Sequence, residues 1–460
     1  MAGVGFALQA LSKRETLSAG FAAFAISAII AVGPWLFTVI CVAGINMATV
    51  TNSGLTALAE MRIVIIYNFS ISLVLSGPIA VVTTRFLADG LYARDMSRAP
   101  GALFTALGLT LATQAPVAIY LYSQVATLSA QMQMIAIASY LIVACLWVVA
   151  VFLSALKDYV TVTVAFASGL LLSFALSLGL SNFGPEGLLG GFSAGLAFTL
   201  FVLLARVLAE YPTPASHMNS LLGYFRLYPE IALSGLIYNA GIWVDKWIMW
   251  TAPQAVSPAS GLVSYPAYDG AMFAAQLTMV PAIALFVYTV ETKFFAAYRT
   301  FYRTIELHGT LAKINSAHRE IIGTLSRAAA SLGALQVTLA LFVIALSPKF
   351  LVLLDLHATQ LGMFRLGVLG SAFHAIFLFL TIVLAYFDLR RSVLLVQIIF
   401  FVMNGAATAA TLALGPAWYG YGYFLASVVT ASAAALIAAS AVGRLPYLTF
   451  IANNPAVRTR

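Results

Sequence analysis

Charged side chains are scarce in this sequence, because Asp, Glu, Lys and Arg make up only 8% of its 460 residues. Soluble globular domains carry about 25% of such residues. Hydrophobic residues reach 62%, and the mean hydropathy is +0.98. These values exclude an ordinary soluble domain and predict an integral membrane protein.

Groups that carry enzyme or metal chemistry are also few. The two cysteines, Cys41 and Cys145, lie in apolar runs, so neither a disulfide framework nor a metal cluster is expected. The five histidines show no ligand spacing, and no phosphate-binding glycine loop is present. We expect no catalytic residue, metal or cofactor, and we interpret His374 as a packed or hydrogen-bonded core histidine, with a cavity position as the alternative.

Acidic residues are missing from the interior of the first six predicted helices. Glu60, Asp89, Asp95, Asp158 and Glu186 all fall at predicted helix ends or in loops. Ion-coupled transporters usually bury a carboxylate in the membrane. This absence argues against a proton-coupled drug exporter and makes Asp245 nearly the only candidate for coupling.

Apolar runs of about twenty residues, enough to cross a ~30 Å hydrocarbon core as helix, recur along the whole chain. The sequence therefore predicts an all-α polytopic membrane protein with twelve transmembrane helices. The predicted crossings are 20–45, 63–86, 101–122, 132–154, 160–181, 187–208, 230–251, 271–291, 325–346, 362–386, 392–414 and 419–443.

The distribution of basic residues predicts the orientation. Most of the 23 Lys and Arg fall on one side of the predicted membrane, whereas the other side receives Arg62, Lys349 and Arg365, with Lys246 close to the membrane. The positive-inside rule then places both termini in the cytoplasm of a multi-pass protein. The bases are spread over many juxtamembrane segments, so nucleic acid is not an expected partner.

A repeat divides the chain into two six-helix lobes. A shift of 208 positions aligns Gly33 with Gly241, Trp35 with Trp243, Arg85 with Lys293 and Phe86 with Phe294. A shift of 231 aligns Gly184-Pro185 with Gly415-Pro416 and Gly191 with Gly422. Both halves begin inside, which predicts pseudo-symmetric lobes able to rock around a central cavity.

The predicted domains follow from this repeat. They are an interfacial N-terminal helix (1–17), an N-lobe (18–208), an interlobe linker (209–229), a C-lobe (230–445) and a cytoplasmic tail (446–460). The C-lobe contains an amphipathic cytoplasmic insert (293–323) that continues helix 8. An apolar stripe with Arg299 and Arg303 beside it predicts an insert that either rests on anionic lipid or docks a cytosolic partner.

The segment GIWVDKWIMW places two opposite charges in the predicted seventh helix. Neighbouring helical residues are 100° apart, so we expect Asp245 and Lys246 to point in different directions. Lys246 shares a stripe with Asn239, Trp243 and Trp250 that suits a polar, sugar-stacking cavity. A cavity or gating role, an inter-helix salt bridge and interfacial anchoring of Lys246 remain alternatives.

Several motifs together resemble one transporter family. They are MAGVGFALQAL, SAIIAVGPWL, SGPIAVVTTRFLADGLYARD, VDKWIMW, SYPAYDGAMF, VETKFFAAYRTFYRTI, AYFDLRRSVLL and WYGYGYFLA, and the resemblance runs from Met1 to about Leu425. The set is similar to the PelG family of bacterial inner-membrane exopolysaccharide transporters. That family belongs to the multidrug/oligosaccharidyl-lipid/polysaccharide exporter superfamily, so the resemblance implies a MATE-like fold.

The resemblance also implies a function and partners. It implies outward movement of a cationic amino-sugar polymer, with the glycosyltransferase PelF and the membrane proteins PelD and PelE as partners. A multidrug or lipid-linked oligosaccharide flippase and a non-transporting scaffold for a synthase are the alternatives. The motif positions that carry over as candidates are Arg85, Asp89, Asp245, Lys246, Tyr268, Asp269, Glu291 and Lys293.

Simpler roles exist for some of these candidates. Arg85 and Lys293 occupy matched cytoplasmic helix ends, where bases commonly anchor a helix at the membrane surface. Tyr268 and Asp269 sit where a residue could cap the eighth helix. If the cargo is cationic, acidic and aromatic residues are expected to matter more than lysines.

Overall fold

The structure is a computed structural model that describes residues 17–156, 158–212, 219–257, 260–353 and 360–452. Within these ranges the chain is almost entirely helical, with a single isolated antiparallel bridge between Val256 and Ser264. The predicted interfacial helix 1–17 lies almost wholly outside them. The sequence prediction of an all-α protein is confirmed.

The helices follow one another with short connections. Leu17–Ala93 is one helical stretch that bends at Gly54 (φ 75°, ψ 163°), so we name its two arms α1 (17–52) and α2 (Ser53–Ala93). The others are α3 (Ala99–Tyr120), α4 (Ala130–Leu156), α5 (Tyr159–Gly179), α6 (Gly184–Glu210), α7 (Ser220–Leu227), α8 (Pro229–Met249), α9 (Pro266–Gln276), α10 (Val280–Thr289), α11 (Phe295–Glu306), α12 (Leu311–Ala345), α13 (Ser347–Leu353), α14 (Leu361–Tyr386), α15 (Arg390–Leu414) and α16 (Tyr421–Gly443).

The predicted crossings correspond to these helices. In the described part of the chain, ten helices are long and apolar enough to span a membrane. They match the predicted crossings except the first and seventh, which correspond to α1 and α8. Residues 46–62, between the first two predicted crossings, are helical on both sides of Gly54 rather than a loop. Gly54 adopts a positive φ that side-chain-bearing residues rarely take, and this turns the chain from α1 into α2 without a longer connection.

The eighth crossing begins earlier and ends later than predicted. It starts at Pro266 instead of 271, and short 3-10 and π segments (Leu277–Met279 and Val290–Phe294) join α9, α10 and α11 into one helical rod. The first half of the predicted insert thus continues helix 8, whereas residues 311–323 form the start of α12. Pro266 provides the reason for the early start, because proline is well tolerated in the first turn of a helix.

The chain forms two compact units, residues 32–266 and residues 267–460 with 1–31. The boundary falls at the start of α9, so α8 belongs to the unit that contains α2–α6. The predicted lobe boundary lies earlier, in the linker 209–229. That linker contains α7, whose Leu221 is buried in the core of residues 32–266, and residues 213–218 lie outside the described part.

In the unit of residues 32–266, α5 and α6 pack through small residues. The Ser173 hydroxyl donates to the Phe192 carbonyl oxygen over 2.8 Å, and the Ser177 hydroxyl donates to that of Leu188 over 2.9 Å. A Cβ added at Gly191 or Gly195 would overlap the α5 backbone. Small residues are what allow such close backbone approach between helices in lipid.

The positions matched by the repeat have matching local structure. Gly184 and Gly415 both have positive φ, 67° and 98°, and each precedes a proline that begins a helical segment. A Cβ at Gly191 would overlap α5, and one at Gly422 would overlap Thr408 of α15. The same two requirements for glycine therefore occur in each half, as a duplication predicts.

Candidate functional site

Asp245 and Lys246 form a buried ion pair within α8. The Lys246 Nζ lies 3.1 Å from Asp245 Oδ2 and donates to the Ile242 carbonyl oxygen over 3.0 Å. Asp245 is fully buried and Lys246 is 5% exposed. The pair is therefore enclosed by protein, and the Lys246 ammonium bonds within α8.

The expectation that the two side chains point apart is wrong for their charged ends. Their Cβ atoms do leave the helix about 100° apart. The four-carbon stem of lysine nevertheless folds back far enough to reach the neighbouring carboxylate. Spacing along a helix constrains Cβ directions much more tightly than it constrains a long flexible side chain.

The stripe beside Lys246 faces α2. The Asn239 amide donates to the Leu73 carbonyl oxygen of α2 over 3.1 Å. The Trp250 ring stacks on Tyr67 of α2, with centroids 4.8 Å apart. Trp243 is half-buried. Two members of the predicted sugar-stacking stripe are thus engaged in helix packing.

Tyr268 and Asp269 lie in the first turn of α9. Tyr268 is 1% exposed and Asp269 is half-buried. A carboxylate in the first helical turn interacts favourably with the helix dipole. Both residues belong to residues 267–460, whereas Asp245 and Lys246 belong to residues 32–266.

Arg85 and Asp89 form a pair surrounded by tyrosines at the end of α2. Arg85 Nε lies 3.2 Å from Asp89 Oδ1, and its guanidinium carbon lies 5.2 Å from the ring centre of Tyr228. Tyr224 of α7 hydrogen-bonds to Asp89, and burial, followed by the charge of Asp89, raises the pKa of Tyr224. This cluster connects α2 to α7 and the start of α8.

The insert buries its apolar stripe against its own unit. Phe294 is 1% exposed and Phe301 is fully buried, and Phe294 packs edge-on against Tyr386 of α14. Lys293, Arg299 and Arg303 are exposed on the other face. The side chain of Glu291 lies outside the described part. The basic face of the insert is therefore open to lipid or a partner, and Phe295 and Leu307 are exposed as well.

Sequence reasoning missed a buried polar network between α2, α3 and α4. The Tyr122 hydroxyl donates to Asn68 Oδ1 over 2.6 Å, Gln114 donates to the Ser76 hydroxyl oxygen over 2.7 Å, and Trp147 donates to Ser72 over 3.1 Å. Asn68, Ser72 and Ser76 are spaced by four, so they share one face of α2. This four-residue spacing was the sequence signal from which the polar network could have been predicted.

His374 is a hydrogen-bonded core residue of α14, as interpreted from the sequence. Its Nδ1 lies 3.0 Å from the Tyr423 hydroxyl, and its ring is 4.8 Å from that of Phe400. Within the described residues, no three His, Cys, Asp or Glu side chains come together in a way that could hold a metal ion.

The arrangement of helices is that of MATE-type transporters of the MOP superfamily, which have twelve helices in two lobes. A multidrug resistance MATE transporter in an outward-facing conformation is 15% identical, with a TM-score of 0.66 over 95% of this chain and 98% of that chain. A MOP superfamily transporter from Pyrococcus furiosus is 16% identical, with a TM-score of 0.61 over 91% and 96%. A MATE structure in the bent conformation is 17% identical, with a TM-score of 0.59 over 95% and 98%.

The family match is more specific than the match to this fold. The family model described as "PelG: Putative exopolysaccharide Exporter (EPS-E)" matches residues 1–450. The chain therefore belongs to the PelG family, and it is a multi-pass membrane transporter of exopolysaccharide. No curated protein matches it.

Proposed function

We propose that this protein exports a Pel-type amino-sugar exopolysaccharide from the cytoplasm to the periplasm across the bacterial inner membrane. The observation that carries the proposal is membership of the PelG family over residues 1–450 on a MATE-like fold. Two lobes of this kind move cargo by alternating access or form a conduit between them. Both termini lie in the cytoplasm, as the basic residues indicate.

The candidate residues divide into three groups under this proposal. Asp245 and Lys246 are enclosed and paired, so they hold α8 in place and meet cargo only if the pair opens. Tyr268 and Asp269 begin α9, where Asp269 is half-buried and able to attract an amino sugar. We propose Arg85 and Asp89 as gating candidates at the cytoplasmic end of α2, and Lys293 and Glu291 as gating candidates at the matching helix end of the other repeat.

The exposed basic face of the insert is the docking surface for the synthesis machinery. With 35 residues, α12 is about 52 Å long at 1.5 Å per residue, so it exceeds a ~30 Å hydrocarbon core by about 20 Å. Arg299 and Arg303 stand on the neighbouring α11. We propose PelD, PelE and PelF as the partners, with polymer synthesis driving export and this chain performing no catalysis.

The test is export into vesicles. Purified protein is reconstituted in lipid vesicles. The glycosyltransferase PelF is added outside the vesicles, and PelD and PelE are placed in the membrane. The polymer that is protected from an added glycosidase is then measured. We expect lumenal polymer only when this chain is present. Vesicles that make polymer outside but contain none inside would contradict the proposal.

A variant separates transport from scaffolding. Asp269→Asn keeps the size of the side chain but removes its charge, so we expect a several-fold loss of lumenal polymer with unchanged co-purification of the partners. Lys349→Gln, on the outer side, is the charge-changing control. If Asp269→Asn loses both partner binding and export, the result supports a scaffold role for this chain and contradicts a cargo-binding role for Asp269.

A further inference from the structure

A cavity of about 350 Å³ opens between the start of α14 and the 415–421 segment that precedes α16. Its described lining includes Gly362, Arg365, Pro416, Tyr419 and Tyr421. Small-molecule sites occupy roughly 300–1,000 Å³, so this cavity is at the small end of that range. Such a size suits one sugar unit better than a lipid tail.

The wall formed by residues 415–421 has a well-defined backbone. Gly415 and Gly420 have φ of 98° and 97°, and Pro416–Trp418 forms a 3-10 turn. A Cβ at Gly420 would lie 3.2 Å from Met363 Cα, so this segment packs closely on α14. Tyr419 is only 2% exposed. The cavity is therefore formed by the fold of residues 267–460 alone.

Arg365 supplies the charged group of the cavity. Its Nε donates to the Ser347 hydroxyl oxygen over 2.8 Å, which orients the guanidinium. A guanidinium has five N–H donors and no acceptor, so the two terminal nitrogens still present donors at the wall. Arg365 is the one charged residue among the described lining residues.

We propose that this cavity is a binding site for an uncharged sugar unit, an N-acylated or fully hydroxylated hexose, in the exported glycan. Hydroxyl and acyl carbonyl oxygens accept hydrogen bonds from Arg365. The faces of Pro416 and Tyr421, which are exposed, match the apolar C–H face of a sugar ring. The guanidinium repels a free ammonium group, so a de-acylated amino sugar binds more weakly.

The cavity lies at the exit end of its unit, which ties this inference to the proposed function. The basic insert is at the start of α12, whereas Ser347 follows the end of α12 and α14 begins near it. The cavity is thus at the end of residues 267–460 away from the insert. It binds the glycan after the glycan has crossed, and it selects acylated over amine-bearing units.

The test is binding of two oligosaccharides to the full-length protein in phosphatidylcholine nanodiscs at pH 7. The probes are the tetramer of N-acetylglucosamine and its de-N-acetylated counterpart, and titration calorimetry measures their affinities. We expect the acetylated tetramer to bind at least about fivefold more tightly, a difference of roughly 1 kcal/mol. Equal or tighter binding of the amine tetramer overturns the proposal.

Gly362 allows the cavity to be filled without disturbing the fold. It is a helical glycine at which a Cβ would meet nothing within 4 Å, so Gly362→Phe is expected to block the cavity and reduce affinity at least tenfold. Gly108 is equally open and lies on α3, so Gly108→Phe is the matched control. Unchanged affinity in Gly362→Phe overturns the proposal.

Further measurements distinguish a lipid-headgroup site from a sugar site, and they distinguish failure of the sugar site from failure of the export function. If glycerol phosphate displaces the acetylated tetramer at lower concentration than the sugar itself binds, the cavity is a headgroup site and the proposal fails. If the tetramer binds but vesicles of the wild-type protein contain no lumenal polymer, the export function fails and the sugar site stands. If those vesicles export polymer but no tetramer binds, the sugar site alone fails.

Discussion

Two charged residues of α8 show that a charge buried in a membrane helix needs a partner of opposite charge. Asp245 and Lys246 are both inside the protein, and each compensates the other. An uncompensated charge in the same place would have to be removed from water without a partner, which is strongly unfavourable. The pair is therefore a structural requirement of α8 before it is anything else.

Single and double substitutions of this pair should differ in stability. We expect Asp245→Asn or Lys246→Met alone to lower the free energy of unfolding by about 3–5 kcal/mol, because each leaves one buried charge. The double variant Asp245→Leu with Lys246→Met should recover most of that loss. Unfolding in mixed micelles measures it. A fully stable Asp245→Asn protein that cannot export would instead assign Asp245 to the cargo path.

Asp158 provides a second residue-scale prediction, with a pH dependence. It caps α5 by accepting from the Thr161 amide at 3.1 Å, and it accepts from Arg206 of α6 at 2.8 Å. Burial alone would raise the pKa of Asp158, but the hydrogen bonds from Thr161 and Arg206 outweigh it and lower the pKa below its ordinary value.

We expect Asp158→Ala to lower the free energy of unfolding by about 1–2 kcal/mol at neutral pH, the usual effect of losing an N-cap. Because the folded-state pKa is depressed, this contribution is fully present above about pH 4 and is lost as the pH falls through the folded-state value. Unfolding measured from pH 7 to pH 3 tests the trend. Asp158→Asn, which can still cap, should lose under about 1 kcal/mol.

At the scale of elements, the contact of α2 with α8 depends on two glycines. A Cβ at Gly77 would overlap the Gly235 carbonyl, and one at Gly235 would overlap Gly77. The Asn239 amide bonds to the α2 backbone one turn from this contact. Backbone proximity, rather than side-chain interdigitation, therefore fixes α8 against α2.

Enlarging either glycine should separate the two helices. We expect Gly77→Ala or Gly235→Ala to cost about 1–3 kcal/mol, as overpacking of a close contact usually does. The same change at Gly108, where a Cβ meets nothing within 4 Å, should be neutral or stabilising. Unfolding midpoints of the three variants in one detergent provide the comparison, and equal midpoints would contradict it.

At the scale of the whole molecule, α8 and the segment that follows it belong to residues 32–266. Tyr67 of α2 stacks on Trp250, and its hydroxyl donates to the Val263 carbonyl oxygen over 2.8 Å. The Thr127 amide donates to the Ser260 carbonyl oxygen over 2.8 Å. These contacts tie Trp250, Ser260 and Val263 to the unit of α2–α6.

A cross-link inside this unit should not interfere with transport. In a chain with Cys41→Ala and Cys145→Ala, cysteines at positions 67 and 250 are joined by a short bis-maleimide. Since both positions belong to one compact unit, we expect vesicle export to be retained after cross-linking. Each single-cysteine variant, treated alike, is the control. Export that stops only in the cross-linked pair would show that α8 moves against α2.

Much of the fold was predictable from the sequence, but less of the candidate site was. The crossings followed from apolar runs, because a helix in lipid must satisfy its backbone hydrogen bonds internally. The role of His374 followed from its apolar surroundings. The pairing of Lys246 with Asp245, the engagement of Trp250 by Tyr67 and the covering of Phe301 did not follow, since each depends on a side-chain conformation or on a distant segment.

The sequence by itself determined that this chain is a helical membrane protein, where its helices cross and which family it belongs to, because hydropathy and motifs are local properties. It also contained the duplication, since glycines such as Gly184 and Gly415 recur where both halves need the same backbone. The tertiary structure alone decided that α8 packs with α2, that the α8 charges neutralise each other and that the insert buries Phe294 and Phe301 while its bases stay exposed. Those outcomes depend on contacts between segments far apart in the chain, and only packing selects among them.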